Sequence, residues 1–255
     1  MDTVQQIADV CRELNAGQLD LLLEMARAMK TKIEQVVSLD SDIVVPEFAA
    51  NFSNRLLIHH ATNEEKFKKK SFEYAFRAAS RSAKRKAEIT DDPCCPGADV
   101  VVDGVQFSLK TEAAASISPD KITISKLMEA RWIRECQSGA DFARGIKRKV
   151  VTHLRKYERI LTLRAFSVET SAVRYDLVEI PCALLLEMGK LTARDFAPPN
   201  ENHSGKADVY RGNVKAFSVR LDGSVEKITI SGLLTNLCRK HASWTVPTIG
   251  PSPQE

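Results

Sequence analysis

Apolar and polar positions change period several times along the chain, and each change predicts an element. Over residues 4–37 they recur at helical spacing, with Leu19, Leu22, Leu23, Ala26, Met29, Ile33 and Val36 on one stripe. Asn15-Ala16-Gly17 splits this segment into two helices. Asp40-Ser41-Asp42 and Pro46 mark a loop. A third helix is predicted over about 64–86, from Glu64-Glu65 to the basic run Lys84-Arg85-Lys86, and Asp91-Asp92-Pro93 ends it. Two short apolar runs joined by Asp103-Gly104 then read as a β-hairpin over 98–110, because Asp-Gly suits the positive φ angles of a type I′ turn. Further on, the pattern predicts a strand at 121–125, a helix at about 126–136 and another at 141–158. Strands follow at 160–166 and 175–180, then a short helix after Pro181 and a long loop over 196–207. A last hairpin spans 214–221 and 227–230, and the tail with Pro247, Pro251 and Pro253 reads as frayed. The whole is α/β: a mixed sheet flanked by helices, with a helical N-terminal part. Residues 1–45 form that part, 46–245 the core and 246–255 the tail.

Composition narrows the class only a little. With 255 residues, 44% hydrophobic and 27% charged, the chain is sized for one substantial globular domain. No apolar run reaches the roughly 20 residues of a membrane helix, and Met1-Asp2-Thr3 opens no basic leader, so no membrane partner and a cytoplasmic location are expected. Cys11, Cys94, Cys95, Cys136, Cys182 and Cys238 lack CxxC spacing. Reduced thiols are therefore expected rather than a disulfide frame or a zinc site at Cys94-Cys95. The net charge of +4 is too small to imply nucleic acid by itself.

The hairpin carries the candidate chemistry. With a two-residue turn, Val102 faces Val105, Val101 faces Gln106, Val100 faces Phe107 and Asp99 faces Ser108. Alternation puts Val100, Val102, Val105, Phe107 and Leu109 on one face. The other face holds Asp99, Val101, Gln106, Ser108 and Lys110. Diagonal neighbours lie about 7–8 Å apart, so Asp99 and Lys110 can reach one point above the sheet. A carboxylate-held divalent metal there would activate water, and the amine would position it, deprotonate it or neutralise a phosphate. A solvated hairpin face with incidental charges is the alternative.

Positive charge clusters twice. On the helix predicted from Arg144, an apolar stripe of Ile146, Val150, Leu154, Tyr157 and Leu161 opposes a row of Arg144, Arg148, Arg155 and Arg159, flanked by Lys147. Such a row suits phosphates, although a solvated basic face has the same pattern. The second cluster is Arg81, Lys84, Arg85 and Lys86. Lys68-Lys69-Lys70 reads as a solvated helix face, and His59-His60 as a structural pair. Asn200, Glu201, Asn202, His203 and Lys206 in the predicted loop are types able to read base edges.

Pro96-Gly97-Ala98-Asp99 followed by Ser108-Leu109-Lys110 resembles the PD…(D/E)xK signature of a nuclease superfamily, with the 71–76 segment similar to its accessory-acid helix. Several further stretches resemble the SmaI-type restriction endonucleases: Arg55-Leu56-Leu57-Ile58-His59-His60, Leu109 to Ala114, Tyr157-Glu158-Arg159-Ile160, and Leu177 to Pro181. The order and spacing hold over most of the chain. This resemblance implies a bacterial type II enzyme that hydrolyses double-stranded DNA with Mg²⁺, Mn²⁺ able to substitute, and leaves 5′-phosphate ends. It further implies a homodimer, a GC-rich palindrome like CCCGGG and a cognate DNA methyltransferase as genetic partner. One position departs from the pattern, because Ser108 stands where the second acid belongs. Glu73, Glu112 and Glu129 are the candidate substitutes, and the Leu109 carbonyl is a further possible ligand. On a helical wheel Glu73 falls away from the phenylalanines, which favours solvent. A repair or structure-specific nuclease of the same superfamily, or an inactive DNA-binding module, is the alternative reading.

Overall fold

The computed structural model describes residues 2–90, 98–169 and 172–248. Cys94-Cys95, Asp91-Asp92-Pro93, Pro96-Gly97, Pro251 and Pro253 lie outside them. The chain opens with helices α1 (Thr3–Cys11) and α2 (Ala16–Met29), strand β1 (Glu34–Val37), then helices α3 (Pro46–Thr62) and α4 (Lys69–Ser82). Strands β2 (Ala87–Ile89), β3 (Val100–Val102), β4 (Val105–Glu112) and β5 (Lys121–Glu129) follow. A helical stretch comprises α5 (Gly139–Gly145), a π turn (Ile146–Val150) and α6 (Val151–Leu154). The remainder is β6 (Arg159–Glu169), β7 (Ala172–Ile180), α7 (Cys182–Leu186), β8 (Gly205–Arg211), β9 (Val214–Asp222), β10 (Lys227–Leu234) and β11 (Arg239–Pro247).

Among the described residues the strands form a seven-stranded sheet ordered β1-β11-β7-β6-β4-β3-β2 and a four-stranded sheet ordered β5-β10-β9-β8. The fold is thus mixed α/β with a large mixed sheet, in which β4 and β6 pair in parallel and β3 and β4 antiparallel. Each face of the large sheet covers a core. On one face, Phe48, Phe52, Phe72 and Phe76 of α3 and α4 pack on Phe107, Leu109, Leu161, Leu177 and Trp244. On the other, Ile160, Val178 and Ile180 meet Phe142, Ile146, Val150 and Leu154, together with the apolar side of the second sheet. Each such buried side chain contributes about 1.5–3 kcal/mol, so both layers clamp the strands that carry the candidate site.

Several local expectations change. Ile33 and Val36 do not extend a helix, because β1 pairs with β11. Pro46 starts α3, a helix the pattern reading left unassigned. The third predicted helix shortens to α4, and its basic end leads into β2. The helix expected at 126–136 is replaced by the end of β5, followed by a short 3-10 turn at Arg131–Glu135. The predicted loop over 196–207 ends at β8, which pairs with β9. Pro247 closes β11, a strand with neighbours on both sides, rather than starting a frayed tail. His241 and Ser243 kept β11 from reading as apolar. Both are satisfied from β7, His241 by Glu179 and Ser243 by Asp176.

Candidate active site

The β3–β4 turn places the site. Asp103 and Gly104 adopt φ angles of 50° and 88°, and the strands pair as Val100 with Phe107, Val101 with Gln106 and Val102 with Val105. Beyond β3 the chain continues beside β4, where the Asp99 amide donates to the Phe107 carbonyl at 2.8 Å. The Asp99 carboxylate turns onto β4, accepting from the Leu109 amide at 2.6 Å and the Ser108 hydroxyl at 3.3 Å. Lys110 donates to Ser108 Oγ at 2.8 Å. Amine, hydroxyl and carboxylate therefore form one chain of hydrogen bonds. Leu109 engages Asp99 through its backbone amide.

The second carboxylate comes from a helix. Glu73 on α4 is only 6% exposed, which corrects the wheel-based expectation of a solvated side chain. Lys69 links it to the hairpin: its ammonium lies 2.7 Å from Asp99 Oδ1 and 3.6 Å from Glu73 Oε1. Lys70 reaches Glu73 Oε2 at 3.2 Å. Two of the three lysines assigned to a solvated face thus serve the site. An i,i+4 spacing from Lys69 to Glu73 was the available signal. Asp99 and Glu73 already share one cation, and their hard oxygen donors suit a magnesium-like ion, so the residues fit a divalent metal.

Electrostatics sets the amine. Burial of Lys110 lowers its pKa from the ordinary 10.5 to about 8, against the pull of Asp99 and with help from Lys69. His153 on α6 is a neighbour the pattern reading missed. Burial first, then the Lys110 charge, lower its pKa to about 4, so the ring is neutral at physiological pH. The π turn at Ile146–Val150 shifts the helical register just upstream, which no fixed-period wheel anticipates.

Other candidates go elsewhere. Glu112 does continue the Ser108–Lys110 face, yet both its oxygens are engaged: Oε1 accepts from the Thr123 amide at 2.8 Å and Oε2 from Arg164 Nε at 2.6 Å. Glu129 is exposed at the end of β5 and pairs with Lys126. Arg159 does not extend a helical row. It opens β6, and its guanidinium binds Glu179 and Asp42. Arg144, Lys147, Arg148 and Arg155 are exposed, with Arg144 paired to Asp141. Arg81, Lys84 and Lys86 are exposed too, whereas Arg85 is partly buried and donates to the Asp42 carbonyl. His60 is buried against the Tyr175 hydroxyl, and His59 meets the Glu65 carbonyl. Within the former loop, His203 meets the Cys136 carbonyl, and Asn200 accepts from the amides of Asn202 and Ser204.

A second group could also hold a metal: Asp42, Glu179 and His241 bring one ligand atom each within 4.8 Å of one another. Arg159 and Arg239 bind those carboxylates, as Lys69 and Lys70 bind Asp99 and Glu73, but only the latter pair lies beside the Lys110 amine. The four cysteines among the described residues, Cys11, Cys136, Cys182 and Cys238, are free thiols.

A buried amine linked to a carboxylate that already holds a cation is equipment for phosphodiester hydrolysis, and comparison with known proteins makes the class definite. Residues 9–246 match the family described as SmaI, type II site-specific deoxyribonuclease, and the chain belongs to it. It is 31% identical over 251 residues to the type II restriction enzyme SmaI of Serratia marcescens, a match covering 96% of this chain and 97% of that enzyme. No solved structure matches. The protein is therefore a restriction endonuclease, and its substrate is DNA. No helix among the described residues is long and apolar enough to cross a membrane.

Proposed function

We propose that the chain hydrolyses double-stranded DNA at a short GC-rich palindrome resembling CCCGGG, with Asp99 and Glu73 holding Mg²⁺ and Lys110 acting on the attacking water. The observation that carries this reading is the hydrogen-bonded series Lys110–Ser108–Asp99 with Glu73 one ammonium away. When bound, the metal supplies Lewis acidity at the phosphate and at water. In its neutral form Lys110 takes a proton from the attacking water, whose oxygen bonds to phosphorus as the bond to the 3′ oxygen breaks. The leaving 3′ oxygen takes a proton from bulk water, giving a 3′-hydroxyl and a 5′-phosphate. Ser108 holds the amine against Asp99, which orients both. Arg144, Lys147, Arg148 and Arg155, with Arg81, Lys84 and Lys86, are exposed basic groups available for phosphates.

Two copies reading a palindrome form a two-fold dimer in this proposal, with helices of the 1–45 part as the contact and 46–245 as the catalytic core. Support comes from α1, which buries none of its residues while showing Val4, Ile7 and Val10 to solvent, and from exposed Leu21 and Leu23 on α2. A cytoplasmic location and a methyltransferase partner complete the reading. The test is digestion of a long, sequenced, unmethylated DNA with Mg²⁺, beside Lys110→Ala. Discrete fragments that vanish with the variant or with chelator are expected, and sequenced ends give the site. A smear would mean a nonspecific or structure-seeking nuclease, and intact DNA with folded protein a binding module.

A further inference from the structure

Beside the catalytic strand lies a cavity of about 440 Å³, lined among others by Thr111, Ser116, Ser118, Lys121, Thr123 and Ser125. It begins at Thr111, one residue past Lys110, hence about 3.3 Å along β4 from the amine's own backbone. Lys121, Thr123 and Ser125 stand on the exposed side of β5, while Ile122 and Ile124 between them face the core. The cavity is thus the meeting of the catalytic strand with the outer face of the second sheet.

Its wall is fixed from beneath. Arg164, 1% exposed, donates to Glu112, to the carbonyls of Ser118 and Lys121, and to that of Pro119 at 3.1 Å. Every terminal nitrogen of the guanidinium is spent on the segment that borders the cavity. Glu112, the one carboxylate lining it, is neutralised by the same arginine. An anion entering this space meets hydroxyls and the Lys121 ammonium, with no uncompensated negative charge among the lining residues.

We infer that this cavity seats the sugar-phosphate backbone of the DNA strand beside the scissile phosphate, with Lys121, Thr123 and Ser125 as its contacts. The inference rests on Asp99 and Lys110 being the hydrolytic centre. Phosphates are met by Lys, Ser and Thr side chains. Lys, Ser and Thr can also meet base edges, but Arg and the Asn and Gln forks that read bases bidentately are absent from the lining. A backbone seat sets register and not sequence, which a comparison of two duplexes tests.

The test measures binding to two duplexes, the one the enzyme cuts and a scrambled one, in the Lys110→Ala background so that both stay intact. Lys121→Ala is expected to weaken binding about ten-fold on both duplexes and to make the salt dependence shallower by about one phosphate. Thr123→Ala with Ser125→Ala is expected to weaken both about three-fold with the salt slope unchanged. Lys121→Arg should restore affinity. Unchanged affinity in Lys121→Ala and in the double variant would overturn the inference, and so would loss confined to the cut duplex, which would make the cavity a base reader. Equal cleavage by Asp99→Ala, Lys110→Ala and wild type would sink the catalytic reading instead, whatever the cavity variants do.

Discussion

The two faces of the large sheet use the same strands for opposite ends. Toward α3 and α4, Phe107, Leu109, Leu161 and Leu163 are almost fully buried in an unbroken apolar layer. One residue along, the opposite face carries Ser108, Lys110 and Glu112 on β4, with Thr162 and Arg164 registered beside the last two on β6. All five are partly or fully buried, yet none belongs to an apolar cluster. The pleat lets a strand anchor itself on one side and hold polar groups out of water on the other. Burial costs a polar group its hydration unless a partner replaces it, and within this row Lys110 partners Ser108 and Arg164 partners Glu112.

The comparison can be broken most sharply at adjacent residues. Lys110→Ala should lower the cleavage rate by about 10²–10⁴-fold with little loss of melting temperature. Leu109→Ala, its neighbour on the other face, should cost about 2–5 kcal/mol of stability by leaving a cavity, with the chemistry of the surviving folded enzyme nearly intact. Denaturant titrations beside single-turnover cleavage separate the two, and equal effects on both readouts would erase the distinction between faces. Within the polar row, Arg164→Met should destabilise by about 3–5 kcal/mol, because it strands the buried Glu112 carboxylate. Glu112→Gln should then disturb stability more than metal dependence, whereas Glu73→Gln should do the reverse.

Smaller effects sharpen the same contrast. Neutral Lys110 increases through pH 8, so the single-turnover rate should climb tenfold per pH unit below about 8 and level off above it. The stability effect has a definite sign. The folded protein binds fewer protons here than the unfolded chain between about 8 and 10.5, so this group makes stability rise with pH across that window. A rate flat from pH 6 to 9 would remove Lys110 as the base. Asp42 behaves conversely: Arg159 lowers its carboxyl to about 2, so its contribution is present above the ordinary carboxylate range and fades as pH falls toward 2. Smallest of all, Lys69→Gln should tighten Mn²⁺ binding to the DNA-free protein by about two- to ten-fold, read by titration, while Lys126→Gln leaves it unchanged.

How much of this was legible follows from which partners the sequence makes visible. Period-two alternation and Asp103-Gly104 specify a register on their own, so the pairing of Val100–Val102 with Val105–Phe107 and the face shared by Ser108 and Lys110 could be derived, whereas Asp99 lies past the last pair with its amide on the Phe107 carbonyl. Glu73 and Lys69 could not, since their roles depend on where α4 docks against the hairpin. Arg159 misled for a related reason: three residues of its supposed row are exposed, but its own partners, Asp42 and Glu179, lie far away in the chain. His241 and Ser243 hid β11 because a buried polar residue looks like a surface one until its acceptor is known. Continuous patterns gave elements, and long-range pairs gave the site.

Ser108 has one more consequence. When both acids of a cation seat belong to a single hairpin, the seat is complete as soon as the hairpin forms. In the proposed site one acid arrives on α4, so the proposed seat exists only while that helix is docked on its bed of phenylalanines. Any cation bound between Asp99 and Glu73 then acts as a tie across two separately built pieces, drawing on the cohesion of the whole layer. Loosening the helix and emptying the seat become the same event seen from two sides. On that proposal a cut can be made only by a molecule whose distant packing is intact.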